Sequence, residues 1–126
     1  MKTARWLILV ASTILFCGGL LHLIGYKFVI SVLVKAGIDA TILGAVKAVW
    51  LVFSVELVIL SPALVWISRR AGPRALLLFL SLIPVLDGIL MYHFVGLFIG
   101  TYMVAAGSLL LVIGAWLLPR GDNPTA

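Results

Sequence analysis

The sequence has 126 residues, of which 64% are hydrophobic and 10% charged, and its formal net charge is +5. Soluble domains contain about 45–50% apolar residues and need polar residues at a helical or strand period, so this composition excludes a soluble fold. The basic residues flank apolar segments and are not interleaved with aromatic residues, which excludes a nucleic-acid surface. The single cysteine, Cys17, excludes an internal disulfide or a thiol metal cluster.

Four segments are long and apolar enough to cross a lipid bilayer. A spanning helix needs about 20 mostly apolar residues. We therefore predict helices at residues 6–25, 45–67, 75–95 and 97–118, with Gly96 alone between the last two. The expected fold is a single all-α domain over residues 1–126, an integral membrane four-helix bundle with up-down-up-down topology.

The first segment follows two basic residues, Lys2 and Arg5, and so imitates a secretory signal. Its apolar run is longer than the usual signal core and has no small-x-small cleavage site at its end. We therefore expect it to be retained as helix 1.

Small residues recur every seven positions in helices 1 and 4, which places each set on one helix face. The two sets are Ala4, Ala11, Gly18 and Gly25, and Gly100, Gly107 and Gly114. Such faces let helices approach closely in lipid. They predict packing either within the bundle or in a homo-oligomer through the glycine-rich faces of helices 1 and 4.

Residues 26–40 are too long for a tight turn and too short and polar to span. We expect them to lie at the outer surface as an apolar connector, as a short interfacial helix or as an extension of helix 1. A lid over the outer mouth of the bundle is the functional alternative.

Charge and tryptophan placement predict the orientation. The inner side is expected to carry six basic residues: Lys2, Arg5, Arg69, Arg70, Arg74 and Arg120. The outer side carries three: Lys27, Lys35 and Lys47. Because short cytoplasmic loops are enriched in Lys and Arg, both termini should be cytoplasmic, in a bacterial-type cytoplasmic (inner) membrane. Trp6, Trp66 and Trp116 fall at the same inner boundary, where indole rings prefer to lie.

Two carboxylates fall inside the predicted spans, Glu56 in helix 2 and Asp87 in helix 3. An ionisable group at this depth costs about 2.5–3.5 kcal/mol on insertion scales, so it requires a functional or structural reason. Pro62 and Pro84 lie near the two acids, and each removes one helical hydrogen bond. The pattern favours a polar cavity inside the bundle, although each acid could instead hydrogen-bond a neighbouring helix as a structural contact.

Further polar residues lie in the outer half of the bundle. We assign Tyr92 and His93 as catalytic candidates beside Glu56 and Asp87, and a second group as substrate-binding candidates: His22, Lys47, Trp50 and Ser54. The structural alternatives are interfacial rings for the histidines and the tyrosine, a snorkelling side chain for Lys47 and a packing hydroxyl for Ser54.

The preferred function is an acid–base enzyme acting on a lipophilic small molecule. Two neighbouring acids in a low-dielectric medium can divide the roles of proton donor and proton acceptor, which suits isomerisation, epoxide opening or cyclisation. No nucleophile motif or metal-ligand spacing is present, and no cofactor is required.

Two alternatives belong to other functional classes. A midplane carboxylate also suits a dimeric, proton-coupled transporter of small molecules. His22 and His93 could instead ligate haem b or contact a quinone, or the chain could be an assembly subunit of a membrane complex.

Overall fold

The computed structural model of the chain describes residues 2–119, which form four α-helices. They are α1 (Lys2–Lys35), α2 (Ala40–Ser68), α3 (Arg74–Val95) and α4 (Ile99–Trp116). All four are long and apolar enough to cross a membrane. The prediction of four membrane-spanning helices is confirmed, and the chain is a multi-pass membrane protein. Arg120 lies outside the described residues.

The helices do not pack equally against one another. α1 packs along both α2 and α4, and α3 packs along α4, whereas α2 and α3 approach each other at few positions. The side of the bundle between α2 and α3 is therefore its least tightly closed side.

Residues 26–40 do not form a surface connector, because α1 continues through Lys35 and α2 already begins at Ala40. Of the alternatives for this stretch, the extension of helix 1 is the one found. No Gly or Pro interrupts residues 26–36, so nothing in the sequence ends the helix at the membrane boundary. With 34 residues, α1 extends over about 51 Å, well beyond a hydrocarbon layer of about 30 Å.

The connection between α1 and α2 is reduced to residues 36–39, and both helix ends are capped. Gly37 has a φ of 69°, and its N–H and that of Ile38 bond to the carbonyls of Val34 and Leu33. This is a Schellman cap, which glycine accepts without steric cost. Asp39 then caps α2 through Oδ1, which accepts hydrogen bonds from the N–H groups of Thr41 and Ile42 at 2.8 and 3.3 Å.

α4 is shorter than predicted. It begins at Ile99 and ends at Trp116, and residues 96–98 connect it to α3. Gly96, with a φ of 87°, ends α3, and its N–H bonds to the carbonyls of Met91 and Tyr92. A turn of this kind needs more than the single residue that the apolar pattern left between the two helices.

The small residues of α1 and α4 pack against each other within the chain. Ala4 and Ala11 are buried, and a Cβ atom added at Gly114 would lie 3.1 Å from the carbonyl oxygen of Ala4. A Cβ atom at Gly107 would lie 2.8 Å from the side chain of Leu15. These faces form what we call the α1–α4 seam, and the packing of small residues within the chain accounts for this part of the pattern.

Small and hydroxyl-bearing side chains occupy much of the interior, whereas many large apolar side chains point outward. The buried polar residues are Ser12, Ser54, Ser61, Ser68, Ser81, Thr101 and Ser108. Outward-facing residues include Ile24 and Phe94, which are 75% and 76% exposed. In water this distribution would expose a very large apolar area, but in lipid, helices associate through close packing of small residues.

Candidate functional site

Glu56 and Asp87 lie on the two neighbouring helices that pack least closely against each other. Glu56 is on α2 and Asp87 on α3, and both side chains are partly buried. They are near enough for the charge of Glu56 to act on Asp87. Phe53 and Leu60, about one turn to either side of Glu56, pack against the apolar core. The two partly buried carboxyl groups therefore lie within electrostatic range of one another in a largely apolar part of the bundle.

The carboxyl group of Asp87 is incompletely satisfied. Its Oδ2 atom is buried and has no hydrogen-bond partner within residues 2–119. Most buried polar side-chain atoms in proteins have a partner, because burying a polar group without one is unfavourable. This oxygen can therefore bond with a protonated neighbouring carboxyl or with the polar group of a ligand.

A pair of neighbouring carboxyl groups in a low-dielectric medium is a common arrangement for proton transfer. Repulsion between two like charges in a low-dielectric medium favours the state in which the pair holds one proton. That state contains one proton donor and one proton acceptor in the same place. General acid–base chemistry requires this combination.

His22, Trp50 and Ser54 form a compact cluster between α1 and α2, which we call the histidine cluster. The His22 and Trp50 rings stack with centroids 3.8 Å apart and planes 11° apart, and Phe53 contacts the His22 ring edge-on at 5.0 Å. His22 Nδ1 lies 2.8 Å from Ser54 Oγ. Trp50 Nε1 donates to the carbonyl oxygen of His22 at 2.7 Å.

The bonds of the histidine cluster assign the tautomer of His22. The hydroxyl of Ser54 donates its single hydrogen to the carbonyl oxygen of Trp50 at 2.7 Å. With the hydroxyl hydrogen placed in this way, His22 Nδ1 is the protonated nitrogen that donates to Ser54 Oγ. In the neutral ring, Nε2 is left as an acceptor. Hydrogen bonds running in both directions thus join α1 and α2 at this level.

The histidine cluster and the carboxyl pair lie on different faces of α2. Ser54 is buried against α1, where a Cβ atom added at Gly19 would lie 3.0 Å from the Ser54 carbonyl oxygen. Glu56 follows two residues later, which turns it by about 200° around the helix. The predicted substrate-binding residues His22, Trp50 and Ser54 do meet, but at the α1–α2 contact and not beside the two acids.

Tyr92, His93 and Lys47 are not brought to the acids. Tyr92 is 60% exposed, and His93 is exposed with its ring edge-on to Phe94 at 4.8 Å. Five and six residues along α3 from Asp87, their side chains leave the helix on other faces. Lys47 is partly buried about one turn before Trp50 and is not among the residues that bond or stack with His22. Similar depth in the membrane did not imply a shared face.

The arrangement of the two histidines does not support a bis-histidine haem site. One face of the His22 ring is covered by Trp50 and its Nδ1 is bonded to Ser54, while His93 is exposed on α3. Within residues 2–119, no group of three or more His, Cys, Asp and Glu side chains is placed to hold a metal ion.

Phe53 is the residue of this region that the sequence did not single out. It contacts His22 and also packs against the core. An apolar aromatic residue in an apolar helix gives no sign in the sequence that it contacts a histidine ring.

Comparison of the chain with protein-family models, with characterised proteins and with solved structures gives no match.

Proposed function

We propose that this protein binds a lipophilic small molecule bearing a polar group between α2 and α3, and that it acts on this molecule by proton transfer through Asp87 and Glu56. The reaction class is isomerisation, epoxide opening or cyclisation. The observation that carries the proposal is the buried Oδ2 of Asp87, which has no partner within residues 2–119. A second carboxyl group, that of Glu56, lies within electrostatic range of Asp87.

Depth supports the pairing of the two acids. Glu56 precedes the end of α2 at Ser68 by 12 residues, and Asp87 follows the start of α3 at Arg74 by 13. Both acids therefore lie about 18–20 Å from the same end of the bundle. A lipophilic molecule can reach this level from the bilayer between α2 and α3, which pack least closely among the neighbouring helices.

The chemistry balances without a cofactor. The protonated carboxyl donates its proton to the ligand, and the ionised carboxyl accepts a proton from another ligand atom. The pair again holds one proton afterwards, on the other acid. Transfer between the neighbouring oxygens of Asp87 and Glu56 restores the starting state.

We further propose an up-down-up-down topology with both termini cytoplasmic, in a bacterial-type cytoplasmic (inner) membrane. Contacts between helix ends support this arrangement. Near the end of α4, Gly114 packs against Ala4 and Ile8 at the start of α1, and Arg74 at the start of α3 donates to the Leu118 carbonyl at 3.5 Å. Basic residues gather at the same end: Lys2, Arg5, Arg69, Arg70 and Arg74. This enrichment marks the cytoplasmic side in membrane proteins.

Native mass spectrometry from a mild detergent tests the site. The wild-type protein is expected to retain a small lipophilic ligand, and Asp87→Asn and Glu56→Gln are each expected to reduce its retention or conversion. Loss of a general acid or base lowers the rate by about 10²–10⁴-fold. Asp39→Asn is the matched control, because Asp39 is an exposed acid outside the bundle interior.

Equal ligand retention and conversion in all four proteins would contradict the proposal. The same variants separate an enzyme from a transporter once a ligand is known. An enzyme converts the ligand in detergent, whereas a transporter moves it unchanged into proteoliposomes and depends on a proton gradient.

A further inference from the structure

A basic cavity lies at the end of the bundle where α1 begins and α2 ends. It has a volume of about 310 Å³ and is lined by cationic and apolar side chains, among them Lys2, Arg5, Arg69, Trp6, Leu9 and Val65. Lys2 and Arg5 belong to α1, and Arg69 directly follows the end of α2. We call this space the basic cavity.

An apolar cavity continues from it along the same two helices. This second space has a volume of about 180 Å³ and is lined in part by Phe16, Pro62 and Thr13. Val65 lines both cavities, so the two adjoin. From Lys2 to Phe16 the path follows α1 for 14 residues, or about 21 Å. We call the two cavities together the α1–α2 groove, charged at one end and apolar beyond it.

The cations of the basic cavity differ from the other arginines at this end. The guanidinium of Arg70 lies over the Trp66 ring at 4.0 Å, and that of Arg74 lies over the Trp116 ring at 4.4 Å. Lys2, Arg5 and Arg69 instead line the open space. Glu56, the nearest acid to Arg69 along α2, is 13 residues away, or about 20 Å.

From this geometry we infer that the α1–α2 groove binds an anionic phospholipid. The phosphate lies among Lys2, Arg5 and Arg69, and one acyl chain follows the apolar part past Val65 towards Phe16. Basic pockets between membrane helices recognise lipid phosphates in this way. A free nucleotide or inorganic phosphate would use the charged end alone. The apolar part of the groove runs along α1 from Leu9 to Phe16, or about 10 Å, and so holds the first part of an acyl chain.

Lipid-dependent thermal stabilisation of the delipidated protein in detergent tests the inference. The probes are phosphatidylglycerol, phosphatidylcholine and inorganic phosphate at equal concentration. Phosphatidylglycerol is expected to stabilise the wild-type protein most. The double variant Arg5→Gln/Arg69→Gln is expected to bind it about 30-fold more weakly, from two contacts with an anionic lipid. Arg70→Gln/Arg74→Gln is the matched control, since it removes the same charge at the same end.

Val65→Trp tests the acyl-chain path, because it fills the groove without changing charge. It is expected to weaken phosphatidylglycerol binding while the helical circular dichroism stays that of the wild type. Three results would overturn the inference: equal loss of binding in both double variants, equal stabilisation by inorganic phosphate, or unchanged lipid binding in Val65→Trp with loss in Arg5→Gln/Arg69→Gln. The first indicates unspecific attraction, the second a small-anion site, and the third a headgroup contact without the groove.

Discussion

Replacing Gly114 by alanine is the most direct test of the α1–α4 seam. The added Cβ atom would lie 2.8 Å from Ile8 Cγ1, 3.1 Å from the Ala4 carbonyl oxygen and 3.2 Å from the Ile8 amide nitrogen. Two of these three atoms belong to the α1 backbone and cannot rotate away. Contacts at or above 3.4 Å are ordinary for a Cβ atom, so α1 and α4 must separate by about 0.3 Å at this level.

The magnitude follows from two opposing effects. Alanine favours a helix over glycine by about 0.5–1 kcal/mol. Overpacking a closely packed interior costs about 1–3 kcal/mol. Gly44 isolates the first effect, because it lies within α2 and a Cβ atom there would meet nothing within 4 Å. The free energy of unfolding of Gly114→Ala should therefore fall about 1–3 kcal/mol below that of Gly44→Ala.

Gly107 provides an intermediate case. A Cβ atom there approaches the Leu15 side chain at 2.8 Å, but the nearest backbone atom is the Ala11 carbonyl oxygen at 3.5 Å. Leu15 can move, so the expected order of stability is Gly44→Ala, then Gly107→Ala, then Gly114→Ala. Equilibrium unfolding in mixed detergent micelles measures this order. Equal stabilities for Gly44→Ala and Gly114→Ala would refute the close approach of α1 and α4.

Two further predictions concern the histidine cluster and the start of α2. His22→Ala should lower the free energy of unfolding by about 1–3 kcal/mol, because it removes one interhelical hydrogen bond and one aromatic stack. His93→Ala removes an exposed ring and should change the free energy of unfolding little. Equal effects of the two variants in the same unfolding assay would contradict the cluster. Hydrogen bonds from the Thr41 and Ile42 N–H groups lower the pKa of Asp39 from its ordinary value of 3.8. The ionised Asp39 therefore stabilises the fold fully above pH 3.8, and this stabilisation is lost as the pH falls through the lower pKa of the folded state. The difference in melting temperature between the wild type and Asp39→Ala should thus be constant from pH 5 to 8 and shrink in strong acid. Thermal melts across this pH range measure it. Asp39→Asn keeps a capping oxygen and should match the wild type near neutral pH.

The candidate site was only partly predictable from the sequence. Glu56 and Asp87 stand out in apolar segments by composition alone, because an ionisable group in lipid is costly wherever its helix points. That Tyr92 and His93 point away from Asp87 follows from their spacing of five and six residues along α3, which similar depth in the membrane does not reveal. The sequence likewise could not predict that Lys2, Arg5 and Arg69 line a cavity. Basic residues at a membrane boundary are already expected because they set the orientation of the helices.

The number and type of the helices followed from the sequence by itself. A backbone in hydrocarbon must satisfy its own hydrogen bonds, so a long apolar run has to be a helix whatever surrounds it. Tertiary structure decided two further features: the packing of the small-residue faces against each other, and the placement of the histidine cluster at the α1–α2 contact. These features depend on which helices are neighbours and which faces they turn to one another. In uniformly apolar helices such as these, little in the sequence marks the face that meets protein and the face that meets lipid.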